Sequence, residues 1–186
     1  EAMIPDKGAL LAPQSGYPSL DYGALSALLQ ENMPYAEPVD LTPVLSLDSY
    51  YRTDLHWRQE ALLPVAERLA EAMDIKLSAQ YDTVTAGAPF YGVYCGQSAL
   101  PLDPDPLRYL TNETLRSCTV YDYETGSTGP VYDLDALEGE DPYSVFLSGS
   151  KSHLTITSPN VDTERELVIF RDSFASSLAP LLVSAY

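Results

Sequence analysis

The sequence is short of the residues that usually carry chemistry. Among 186 residues only two are histidine, two cysteine and one tryptophan. The histidines are His56 and His153. Imidazole titrates closest to neutral pH, so this scarcity narrows the search for a general base to two positions. Cys95 and Cys118 form no C-x-x-C pair and lack metal-ligand spacing, which argues against a zinc or redox motif. They are either a disulfide or two free thiols, and both readings stay open. No apolar run approaches the roughly 20 residues that span a bilayer, so no direct membrane insertion is expected. No basic stretch followed by an apolar one opens the chain, as a signal peptide would require. Residue 1 leads straight into the strand-like Ala2-Met3-Ile4, and the chain is expected to begin inside a larger protein.

Positive charge is scarce too. Ten Lys and Arg stand against 27 Asp and Glu, for a formal net charge of −17. Such a field repels phosphate backbones and anionic lipid, so nucleic acid is excluded as a partner. Solubility alone accounts for the charge, and acidity names no substrate. The apolar share of 45% and charged share of 20% are those of a globular chain. The length suits one core rather than two, and a single domain over 1–186 is expected.

What is present reads as α/β at both ends. Ala2 to Ile4 is strand-like, and Pro5-Asp6-Lys7-Gly8 reads as a turn. Asp21 is a fitting N-cap for a helix with Ala24, Leu25, Leu28 and Leu29 on one stripe. A short strand is expected over Val39 to Leu41. Leu62, Val65, Ala66, Leu69, Ala70 and Met73 then recur at helical spacing, with Pro64 required to sit in the first turn or kink the helix. From 82 to 166 the periodicity fades and tyrosines crowd in, which predicts an insertion of short strands and long loops. Leu167-Val168-Ile169-Phe170 is wholly apolar, the pattern of a strand buried on both faces of a parallel sheet. Phe174 to Ser184 comes next as a helix, with Leu178, Leu181 and Leu182 toward the sheet.

Two stretches carry chemistry. Asp54-Leu55-His56-Trp57 places a carboxylate two residues before an imidazole. In an extended or turning segment both side chains project to one side. A carboxylate bonded to Nδ1–H would fix the tautomer and leave Nε2 free as a base. A helix cap at Asp54 beside a structural His56 satisfies the same spacing. Trp57 would either wall such a site or lie beneath it. In Arg171-Asp172-Ser173-Phe174, a serine turns from a strand into a helix, where ligands bind and free N–H groups can hold an oxyanion. That is the logic of a nucleophile elbow, although G-x-S-x-G is absent. A plain N-cap at Ser173 is the competing reading.

With these stretches in order, the chain resembles the bacterial DHHW proteins, relatives of the alginate-type polysaccharide O-acetyltransferases of the SGNH superfamily. The likeness runs through Ile4-Pro5-Asp6-Lys7, the stretch Asp48 to Glu60, Phe90-Tyr91-Gly92-Val93-Tyr94, Gln97-Ser98-Ala99-Leu100, Phe146 to Ser150, and Phe170 to Ser177. It implies an SGNH-hydrolase-like α/β fold, a three-layer sheet with helices on both faces. By the same resemblance the catalytic triad falls on Asp54, His56 and Ser173. The implied activity is that of an esterase or O-acetyltransferase on a cell-surface or extracellular glycan, outside the cytoplasm. An acetylated glycan or an acyl donor would then be the partner. Two departures stand out: Leu55 replaces the histidine of the family-naming motif, and Ala175 the usual glycine. The resemblance also implies a further strand beyond Tyr186.

Around these residues, Gln97 is placed to bring an amide as oxyanion donor or sugar contact, or to serve as a bonded loop residue. Arg52, Arg58 and Arg171 flank the proposed site and are expected to pair with nearby acids before any substrate. His153 reads as a surface residue. Asp103 and Asp105 read as a turn rather than a metal site, since hard cations need more converging oxygens. Nothing calls for a metal or an organic cofactor, and no motif addresses oligomeric state. The rival to catalysis is a non-catalytic glycan-binding or scaffold module on the same fold.

Overall fold

The computed structural model describes residues 1–77 and 79–186. Its first element, α1 (Lys7–Ser15), begins within the Pro5–Gly8 stretch expected to be a turn. The Asp6 carboxylate accepts from the Ala9 N–H at 3.2 Å, so the Pro-Asp pair starts a helix instead of reversing the chain. Helix α2 (Tyr22–Asn32) begins, as expected, on Asp21, whose carboxylate accepts from the Ala24 N–H at 2.9 Å. Its apolar stripe is not covered: α2 buries no residue, and Leu28 is 56% exposed. Helix α3 (Leu63–Ala72) carries Pro64 in its first turn, where a missing N–H leaves no bond unmade. Its inward face is Val65, Ala66 and Ala70.

The next elements are β1 (Asp82–Phe90), α4 (Val93–Ser98), β2 (Asp105–Thr111), α5 (Glu113–Ser117), β3 (Thr119–Asp122), β4 (Ser127–Gly129) and β5 (Leu154–Thr157). β1 and β2 pair antiparallel with a register shift between Thr85 and Pro89. The remaining strands form a second antiparallel sheet in the order β4-β3-β5. Every strand of the described residues thus lies within 82–166, the segment expected to be an irregular insertion.

The anticipated parallel three-layer sheet is replaced by less. Its first two strands reduce to a single parallel bridge between Ala2 and Val39. Leu167–Phe170 forms neither strand nor ladder, with Val168 77% and Phe170 99% exposed. An apolar run marks a strand only where neighbours accept its backbone bonds, and none do so here among the described residues.

Helix α6 (Phe174–Leu182) forms where expected, and all its residues from Ala175 to Leu182 are buried. The core has two clusters. One gathers Tyr51, Phe90, Leu107, Tyr143, Val145 and Phe146; the other gathers Trp57, Leu62, Val65, Leu110, Leu178 and Leu181. The loop 50–57 contributes to both, through Tyr51 and Trp57, and α6 does so through Ala179 and Leu181. These are the two stretches singled out in the sequence, and both are anchored where the clusters meet.

Candidate active site

The loop carrying Asp54 and His56 is closed by an antiparallel bridge between Tyr50 and Trp57. The Tyr51 N–H donates to the His56 carbonyl at 3.1 Å, and the Arg58 N–H to that of Ser49 at 2.8 Å. Inside this closure Thr53 and Asp54 are buried, and both are held by backbone amides from one short segment. Gly92 N–H donates to Thr53 Oγ1 at 3.1 Å, Val93 N–H to Asp54 Oδ2 at 3.0 Å, and Tyr94 N–H to the Thr53 carbonyl at 3.0 Å. The approach is possible because residue 92 is glycine. A methyl group there would overlap the Asp54 Cβ and lie 2.5 Å from the Thr53 carbonyl oxygen. From the other side Asp105, expected as part of a turn, is the buried first residue of β2. Its carboxylate accepts from the Arg52 N–H at 3.1 Å, the Thr53 N–H at 2.7 Å and the Thr53 hydroxyl at 2.7 Å.

Asp54 Oδ1 accepts from the His56 N–H at 2.9 Å and from His56 Nδ1 at 2.6 Å. An ionised carboxylate only accepts, so Nδ1 carries the proton and Nε2 presents a lone pair. Burial pushes Asp54 upward, but the bonds from the His56 ring, the His56 N–H and the Val93 N–H outweigh it. The carboxyl therefore sits below its ordinary range and stays ionised at neutral pH.

His56 Nε2 lies 2.8 Å from Ser173 Oγ. Ser173 stands at the N-cap of α6 but makes no capping bond; Asp172 accepts the Phe174 N–H at 3.0 Å instead. The N-cap reading of Ser173 thus gives way, and its hydroxyl is left to His56. Among the described residues its backbone N–H has no intramolecular acceptor. Asp54, His56 and Ser173 are joined in line, part-exposed at the serine end and buried at the carboxylate end.

Beneath the imidazole lies Tyr143, a residue with no signal in the sequence beyond being one of fourteen tyrosines. The two rings stack at 3.8 Å with planes 9° apart. The Tyr143 hydroxyl and Ser177 Oγ are 2.9 Å apart, and burial raises the phenol well above its ordinary value. Ser177 Oγ also accepts from Trp57 Nε1 at 3.0 Å. Trp57 donates to the Phe174 carbonyl as well, at 2.9 Å. Trp57 is fully buried, so of its two expected places it takes the one beneath the site and offers no face to a substrate. Gln59 completes the floor. Its amide donates to the Ser177 carbonyl at 2.7 Å and accepts from the Leu110 N–H at 2.7 Å.

The other expected residues are more loosely connected. Gln97 is exposed on α4, the helix whose first N–H holds Asp54, and its side chain makes no hydrogen bond among the described residues. Arg52 is exposed, and neither it, Arg58 nor Arg171 forms the anticipated ion pair with an acid among the described residues. Arg58 donates to the Asp48 carbonyl, and Arg171 to Ser176 Oγ at 2.6 Å and the Asp172 carbonyl at 3.1 Å. His153 is exposed as expected and stacks on Tyr123 at 4.0 Å. Cys95 and Cys118 are free thiols. No helix of the described residues is long and apolar enough to cross a membrane.

Fold and site define a mixed α/β protein whose surface presents a serine hydrogen-bonded to an aspartate-steadied histidine. No family model matches the sequence, and no curated protein matches it in sequence. Solved structures do match. A DHHW family protein from Eubacterium siraeum superimposes with a TM-score of 0.78 at 20% identity, over 100% of this chain and 65% of that one. Bacillus cereus PatB1 matches in two structures, each with a TM-score of 0.72. One, with a sulfonyl adduct, is 16% identical and the other 18%; this chain is covered completely, and 69% and 70% of theirs. The resemblance read from the motifs is borne out, since a DHHW family protein is among the structural neighbours, and at these identities the shared property is the fold.

Proposed function

We propose that the chain is one SGNH-like domain acting as a serine-dependent carbohydrate esterase or O-acetyltransferase, with Ser173 as nucleophile, His56 as base and Asp54 as the carboxylate that steadies it. The observation that carries this reading is the unbroken bond sequence from Asp54 Oδ1 through His56 to Ser173 Oγ, at 2.6 and 2.8 Å. His56 Nε2 takes the hydroxyl proton as Oγ attacks an ester carbonyl, and the imidazolium gives it to the leaving alcohol. Asp54, ionised and held by three donors, stabilises the imidazolium without taking its proton. The Ser173 N–H, with one further donor, holds the oxyanion, and such a donor is typically worth about 3 kcal/mol. Water completes an esterase cycle; a sugar hydroxyl completes a transfer. The resemblance to O-acetyltransferases favours the O-acetyl groups of a cell-surface or extracellular glycan as substrate, in an extracytoplasmic setting.

Ser173→Ala should abolish labelling by a fluorophosphonate while the circular dichroism spectrum and melting temperature stay as in wild type. PatB1 bears a sulfonyl adduct in one structure, so an aryl sulfonyl fluoride is a matched second probe. Equal labelling of the variant would remove Ser173 from the reaction.

One observation favours the rival reading, a non-catalytic glycan-binding or scaffold module. Two clefts, of about 550 and 310 Å³, are lined by neither Asp54, His56 nor Ser173. A p-nitrophenyl acetate assay beside a glycan-binding screen separates the readings. Binding with neither hydrolysis nor acetyl transfer would favour the scaffold.

A further inference from the structure

Lys7 is the first residue of α1 and one of only three lysines in the chain. It does not serve that helix, which buries no residue of its own. Its Nζ instead reaches into the 50–57 loop. There it donates to the carbonyl oxygens of Tyr51 at 2.5 Å and Asp54 at 2.7 Å, with that of Arg52 at 3.4 Å. The same ammonium lies 4.6 Å from the centroid of the Tyr94 ring. An ammonium has three N–H donors and no acceptor, and three carbonyls plus a ring face satisfy it.

The convergence is a property of the loop as much as of the lysine. Carbonyl oxygens of residues 51, 52 and 54 turned toward one point repel each other, and they stay so turned only around a cation or strong donor. The same short loop carries Asp54 and His56, so fixing its backbone fixes the base from which the His56 ring reaches Ser173. The charged groups facing Lys7 are the carboxylates of Asp54 and Asp105. Burial lowers the ammonium's pKa, and those two charges hold it up.

We propose that Lys7 is a positioning residue: its ammonium gathers the carbonyls of Tyr51, Arg52 and Asp54 and thereby sets the direction in which Asp54 and His56 leave the loop. Its bearing on catalysis rests on the acyl-transfer reading of the triad. Its bearing on loop geometry does not.

The test is Lys7→Met, which keeps the apolar stem and removes the charge. The first readout is independent of turnover: the low-field proton resonance of His56 Nδ1–H in its bond to Asp54. It is assigned by its loss in His56→Asn, His153 being the only other histidine. In folded Lys7→Met this proton should vanish or exchange at least about tenfold faster, as expected for a locally opened loop. Fluorophosphonate labelling should slow by about 10²-fold, the usual cost of misplacing a reacting group by an ångström. Lys7→Arg, which retains charge and donors, should recover part of both. A resonance with wild-type exchange in folded Lys7→Met would overturn the proposal. Should Lys7→Met not fold, reductive methylation of the wild type decides. Lys7 should react at least about tenfold more slowly than the exposed Lys76 if its donors are engaged, and equal rates would overturn the proposal. If the wild type takes no label at all, the triad reading fails, while the resonance and methylation results still judge Lys7.

Discussion

Between Thr53 and Trp57 the side chains of Thr53, Asp54, His56 and Trp57 all have hydrogen-bond partners, whereas from Glu166 to Phe170 the chain forms no hydrogen bond among the described residues. The first stretch is gripped by Asp105 and the 92–94 amides and floored by Tyr143. The second leaves Phe170 99% exposed only three positions before the nucleophile. Ser173 owes its place to the buried helix α6 on its C-terminal side, tied down through Trp57, Ser177 and Gln59. The base half of the site is therefore preorganised by polar contacts, and the nucleophile half by burial of one helix and its hydrogen bonds to Trp57 and Gln59. Proton abstraction depends on holding both halves to within a fraction of an ångström, so substitutions in the two stretches should have very different effects.

The largest effect should come at Gly92. Gly92→Ala pushes a methyl into Asp54 and the Thr53 carbonyl, so turnover should drop by about 10²-fold or more; the kcat of p-nitrophenyl acetate hydrolysis checks it. Asp105→Ala strands the buried Thr53 amide and hydroxyl and the part-buried Arg52 amide, and should cost about 3 kcal/mol in urea denaturation. A loss under about 0.5 kcal/mol would mean that the loop is not gripped as described.

The depressed pKa of Asp54 makes a pH prediction. A carboxyl held below its unfolded value of about 3.9 contributes stability that is fully present above that pH and lost as pH falls through the folded value. Asp54→Asn should therefore lose less stability than wild type between pH 5 and pH 2, measured by denaturant titration at each pH. A steeper acid loss in the variant would contradict the assignment. Tyr143→Phe keeps the stack on His56 but removes the hydroxyl beside Ser177, and should cost only about 1 kcal/mol. The smallest effect belongs to the other stretch. Phe170→Ser should change stability by less than about 0.5 kcal/mol, because no contact is lost.

The sequence disclosed the two ends of the site better than the contacts that hold them. Asp54 and His56 were legible because an i, i+2 spacing puts both side chains on one side of a tight loop, and Ser173 because an apolar run breaks into a helix there. Helix α3 was legible from its spacing, and Pro64 fell in the first turn as it had to. Asp105 was hidden because Asp-Pro-Asp-Pro has the composition of a surface turn. Only tertiary contact shows that its carboxylate serves the amides of residues 52 and 53, some fifty positions earlier. Tyr143 and Gln59 were hidden for the same reason, since packing selects them and no periodic pattern marks them. Leu167–Phe170 misled in the opposite direction. Its composition is that of a buried strand, but pairing is a property of neighbours, and a sequence run does not carry its neighbours with it.

Activation of Ser173 requires His56 as its base. The direct test is mass spectrometry of tryptic peptides after fluorophosphonate treatment of the wild type and of His56→Asn. A single adduct on Ser173 in the wild type, absent or slowed by several orders of magnitude in the folded variant, is the predicted result. An adduct on another residue, or equal labelling of Ser173 without the imidazole, would contradict it.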